Sequence, residues 1–154
     1  MSLTYVMIPF LQPSPLAEPK NSMIQNNEAV ALAHLGRLDE AWSTFHDIAM
    51  DRETASNQAV LLATMGLLLF RSGDSEEGRK MYERALADAS LRGDRYLKAL
   101  ALWHLAQEDV VAHTQEAARA LVRAERASKA IHDPEVKMLG DRIRKLVRVA
   151  SPAS

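Results

Sequence analysis

Between Asn57 and Ala89, NQAVLLATMGLLLFRSGDSEEGRKMYERALADA, apolar and polar positions follow the period of an α-helix, break once, and resume. Apolar residues run from Val60 to Phe70, the break falls at Ser72-Gly73-Asp74, and a second amphipathic run carries Met81, Tyr82, Ala85 and Leu86. The pattern predicts a helical hairpin. Gly66 and Gly78 sit inside the two runs, where glycine costs about 1 kcal/mol relative to alanine, so close approach of the two helices is the expected compensation.

The hairpin recurs. Setting ALAHLGRLDEAWSTFHDIA against LLLFRSGDSEEGRKMYERA brings Gly36 to Gly73, Ala41 to Gly78, Phe45 to Tyr82 and Ile48 to Ala85, all at an offset of 37. A third copy aligns at 39 in its second helix, through Ala117, Leu121 and Ala124, and at 40 in its first, where Leu105-Ala106 stands for Met65-Gly66. Helical periodicity holds from Asn21 to about Arg148. It breaks near Gly36, 51–56, Gly73, Gly93-Asp94, His113-Thr114 and 132–134, which predicts seven helices. Caps are expected at Asp39, Asp74 or Ser75, Thr114 and Asp133, the last followed by Pro134 at the first helical position. The final helix sets Val136, Leu139, Ile143, Leu146 and Val147 against Lys137, Arg142, Arg144, Lys145 and Arg148, the two-sided pattern of a capping helix. Ahead of all this, Pro9, Pro13, Pro15 and Pro19 exclude a continuous helix, so residues 1–20 are expected to form an extended arm or linker. The opening Met-Ser-Leu reads as the start of a piece excised from a longer protein.

These positions resemble the tetratricopeptide repeat family. The resemblance lies in a small residue midway along the first helix (Ala29, Gly66, Ala106), glycine at the turn (Gly36, Gly73) and a small residue early in the second helix (Ala41, Gly78, Ala117). An aromatic or large apolar residue follows (Phe45, Tyr82, Leu121), and Asn27 stands where the family often has asparagine. The likeness spans Asn21 to about Ile131 and is similar to longer-helix variants, since the period is 37 to 40 where the common repeat has about 34. The family's closing proline is replaced by Glu53 and Ser90.

The resemblance implies an all-α fold, an α-α superhelix of three hairpins (about 21–53, 56–92 and 94–131) with a capping helix over 134–149. It also implies that first helices line a concave groove, formed here by Asn26, Asn27, Val30 and His34, then Leu67 and Arg71 beside Ala63, then Trp103 and Gln107 with His104. Relatives that grip a peptide carboxylate need a lysine and an asparagine where Asn26 and Val30 stand. The groove therefore suits an apolar helix, an extended peptide or the chain's own N-terminal arm, with Trp103 and Leu67 as anchors and Asn27 and Arg71 orienting polar groups.

Composition narrows the picture. The chain has 154 residues, 47% hydrophobic, enough for one domain with its own core, and its net charge of -1 points to no polyanionic partner. The charge is unevenly placed: residues 1–114 carry -5 and residues 115–154 carry +4. The absence of cysteine removes disulfides, thiol catalysis and thiolate zinc sites. No apolar run reaches the roughly 18 residues of a membrane span, and a cytoplasmic location is the expectation.

No phosphate-cradling glycine loop or Ser-His-Asp set is found, so neither enzymatic activity nor a cofactor is expected. His104 and Glu108 share a helix face, but a third metal ligand would have to come from His113 or Asp109, which point elsewhere; no metal site is expected. His34, His46 and His132 suit surface or capping roles. Arg119, Arg123, Arg126 and Lys129 make one helical face, which opens the alternative of an accessory nucleic-acid-binding domain. Interleaved Glu116, Glu125 and Asp133, and the lack of aromatics in this half, favour a solvated face or an acidic protein partner. The leading expectation is a non-enzymatic protein–protein interaction or scaffold module binding a partner's peptide or helix. Alternatives are a structural domain of a larger enzyme or receptor, and self-association through the arm or the last helix.

Overall fold

A computed structural model describes residues 21–150, and the N-terminal arm expected over 1–20 lies outside the described residues. The described chain is all-helical: α1 (Ser22–His34), α2 (Leu38–His46), a short 3-10 turn (Met50–Arg52), α3 (Ala55–Arg71), α4 (Ser75–Leu91), α5 (Arg95–Val111), α6 (Ala117–Ser128) and α7 (Pro134–Ala150). The seven expected helices are present among the described residues, with their breaks at the expected turns.

Local signals explain most of the ends. Asn21, Thr54, Asp74 and Asp94 each accept a backbone N–H from the first turn of the helix that follows. Asp133 does the same for α7 through Glu135 and Val136. Two expected caps are corrected. Asp39 lies inside α2, which starts one residue earlier after Arg37, and its carboxylate instead sits in the first turn, where the helix dipole favours it. Thr114 precedes α6 by three residues; its hydroxyl donates to Asp109 Oδ1 at 2.6 Å and accepts the Glu116 N–H. At the C-terminal ends of α3 and α5 the chain turns through the left-handed region, at Gly73 (φ 92°) and at His113 (φ 55°), the single non-glycine residue with positive φ among the described residues.

Consecutive helices pair as hairpins, α1 with α2, α3 with α4, α5 with α6. Each hairpin packs on the next in sequence order: α1 on α3, α3 on α5 and α5 on α7 along one side, α2 on α3, α4 on α5 and α6 on α7 along the other. The tightest joint is α3 with α4. A Cβ placed on Gly66 would lie 2.7 Å from the Tyr82 ring and 2.8 Å from the Gly78 carbonyl oxygen, and one on Gly78 would lie 2.6 Å from the Phe70 ring and 2.8 Å from the Gly66 oxygen. The two glycines face one another across this joint, which accounts for their presence in mid-helix. Around them Leu61, Leu68, Phe70, Tyr82 and Leu86 are buried, each contributing roughly 1.5–3 kcal/mol by leaving water.

Candidate functional site

Side chains of α1, α3 and α5 frame a groove of about 240 Å³, with Tyr82 of α4 at its base. From α1 come Asn26, Asn27, Val30 and His34; from α3, Val60, Ala63, Thr64 and Leu67; from α5, Leu97, Leu100, Ala101 and His104. Five expected groove residues, Asn26, Asn27, Val30, His34 and Leu67, line it together. The polar wall is unusual in one respect: Asn26 is only 4% exposed, and its Oδ1 has no hydrogen-bond partner.

Three expected members are displaced. Trp103 is fully buried on the opposite side of α5, its ring 2.9 Å from where a Gly140 Cβ would stand, its Nε1 donating to Ser128 Oγ at 2.6 Å, and the Arg144 guanidinium over its face at 5.0 Å. It anchors α7 to the third hairpin and is unavailable to a partner. Gln107, one turn further on, does not line the groove. Arg71 stands at the groove's end with both arms of its guanidinium on Glu108, at 2.6 and 3.0 Å, and Nη2 3.3 Å from His34 Nδ1. Its charge is compensated by Glu108 inside the fold.

The error has a simple geometric origin. Groove-facing residues of α5 repeat those of α3 at 37, not 40: Val60 matches Leu97, Ala63 matches Leu100, Thr64 matches Ala101 and Leu67 matches His104. His34, Arg71 and Glu108, bonded in a row, are also 37 apart. The end of α5 nevertheless falls 40 residues after that of α3, because α5 runs almost one turn further past the groove. Positions 40 residues after Ala63 and Leu67, which are Trp103 and Gln107, therefore fall on another face of α5. The faces that share a 37-residue period, Leu97 and Leu100 included, were the signal that could have found the right one.

Electrostatics make the groove nearly neutral. Burial, then Arg142, then His34 push His104 down to about 4, so its imidazole is uncharged at neutral pH. Burial, then the Arg71 guanidinium, lower His34 as well. Burial raises the Tyr82 phenol well above its ordinary value, with the Glu108 carboxylate adding to the effect. Glu108 of the His104–Glu108 pair is held by Arg71, and the described residues contain no group of three or more metal-capable side chains.

The basic face is partly neutralised. Arg119 lies 3.6 Å from Glu116, and Arg123 makes two bonds to Glu83 at 2.8 and 2.9 Å. Arg126 and Lys129 form no ion pair among the described residues, and Arg123 and Arg126 face Arg95 and Lys98 of α5 across a cleft of about 400 Å³. These last two cations were not anticipated, because they sit on a different helix.

Comparison of the chain with family models, curated proteins and solved structures gives no significant match. Among the described residues no helix is long and apolar enough to cross a membrane.

Proposed function

We propose that this chain is a non-enzymatic protein–protein interaction module of tetratricopeptide-like, superhelical architecture, taking an apolar segment of a partner protein in the groove of α1, α3 and α5. The mostly apolar lining of the groove carries the reading. Asn26, in its α1 wall, holds a buried amide oxygen without a donor, which costs about 1–3 kcal/mol. Around it Val30, Ala63, Leu67, Leu97 and Leu100 offer apolar contact, while neutral His34 and His104 add hydrogen-bonding capacity without charge. Arg71 is compensated by Glu108, so the groove disfavours charged occupants. The volume suits one or two apolar side chains of a short segment rather than a whole helix face.

The nucleic-acid alternative has less support, because Arg119 and Arg123 already hold carboxylate partners and Arg144 holds Glu125 at 2.5 Å. The test is a peptide-display selection against the full chain, followed by binding to Ala63→Glu and Leu100→Glu variants whose folding is verified by melting. Enriched apolar peptides that lose affinity on both substitutions, and keep it on Arg126→Glu, support the reading. No enrichment, or peptides indifferent to both groove substitutions, overturns it.

A further inference from the structure

The two ends of the hairpin stack carry stripes of matched spacing and opposite charge. On α1, the outward face opposite Ala29 and Ala33 presents Ile24, Glu28, Ala31 and Leu35, spaced four, three and four, with Ile24 67% and Leu35 70% exposed. On α7, the face opposite Val136, Leu139 and Ile143 presents Met138, Arg142, Lys145 and Val149 at the same spacing, with Met138 71% and Val149 76% exposed. Each stripe is an aliphatic residue at either end with a charged centre. Glu28, Arg142 and Lys145 make no ion pair among the described residues. The wider surroundings share the asymmetry: residues 21–53 hold six carboxylates against two arginines, and residues 134–150 hold five cations against two carboxylates.

We infer that the outer face of α1 docks on the outer face of α7 of a second copy, head to tail. Each stripe spans twelve residues, roughly 16 Å of helix from first to last, so the aliphatic ends coincide when the charged centres meet. The match holds for either direction of crossing. An antiparallel contact sets Glu28 against Lys145, a parallel one sets it against Arg142, and Ala31 leaves room for the stem of the other cation. Each end face of a hairpin array is the surface a further hairpin would cover, and both ends here hold exposed aliphatic residues spaced along one helix face, whereas Leu91, Val111 and Val122 are exposed singly on three different helices between them. A single helix pair falls well short of the roughly 800 Å² per partner of a stable interface, so the contact is weak and depends on protein concentration. It is also heterologous: a free head and a free tail remain after each addition, and association continues beyond the dimer.

The test is sedimentation of the full chain from about 10 μM to about 1 mM, a range that brackets weak association. The wild-type mass average rises with concentration. Ile24→Asp spoils the head and Met138→Asp the tail; both positions are exposed, so both variants fold, and each alone stays monomeric. Mixed in equal amounts, they form a heterodimer and stop there, because one intact head meets one intact tail. The double variant Glu28→Lys, Lys145→Glu associates more strongly than either single charge reversal. A wild type that remains monomeric throughout, single-end variants that still associate, or a mixture that stays monomeric overturns the inference.

Discussion

Gly66→Ala tests the packing on which the hairpin stack depends. In an isolated helix the substitution is favourable by about 1 kcal/mol. In the fold the new methyl meets the Tyr82 ring at 2.7 Å and the Gly78 carbonyl oxygen at 2.8 Å. The ring can turn aside, but the carbonyl belongs to the backbone of α4, so relief comes only when α3 and α4 separate by roughly 0.5 Å and loosen Phe70, Tyr82 and Leu86 together. Forcing a methylene into a filled joint costs about 1–3 kcal/mol, and the immobile carbonyl puts this case at the upper end. After the helix-propensity gain is subtracted, a net loss of about 2 kcal/mol remains, or roughly 4–8 °C in melting temperature for a domain of this size. Thermal and urea melts followed by circular dichroism measure it. Gly78→Ala gives a similar loss, and the double variant loses less than the sum, since one separation of the helices admits both methyl groups. A Gly66→Ala protein that melts at or above the wild-type temperature would refute close helix approach as the reason for these glycines.

His113→Gly is expected to stabilise the chain by about 1 kcal/mol, because it relieves a left-handed residue at a turn where Gly36 and Gly73 serve the first two hairpins; a melt decides it. Trp103→Ala loses about 3–5 kcal/mol of stability, and Trp103→Phe a smaller amount through the lost bond to Ser128, a pattern that a surface anchor would not show in urea titrations. His104, facing Arg142, His34 and Glu135, titrates at about 4 in the fold against about 6.5 unfolded. Between these values the unfolded chain binds the extra proton, so the stability is full above about pH 6.5 and is lost as pH falls toward 4. The loss is about 3 kcal/mol, and urea melts at pH 7, 5.5 and 4.5 should show a shallower decline for His104→Gln than for wild type.

Periodicity, turn glycines and capping residues were enough to specify seven helices, their order and the crowded Gly66–Gly78 joint, because each is a property of neighbouring residues along one chain. The α1 wall of the groove was legible too, since Asn26, Val30 and His34 share a stripe spaced four and four. Which face of α5 turns inward was decided only by tertiary packing. Trp103 and His104 are adjacent, yet about 100° of helix rotation separates a buried brace for α7 from a groove wall. The rotation is set by the fit of the indole against Gly140, 37 residues further along the chain. Likewise, Arg71 carries the same charge in the sequence whether free or paired, and only the approach of Glu108 on the next hairpin neutralises it. Local pattern determines where helices start, stop and point their apolar side. The partners that bury or neutralise a given side chain come from distant parts of the chain, and packing alone brings them within reach.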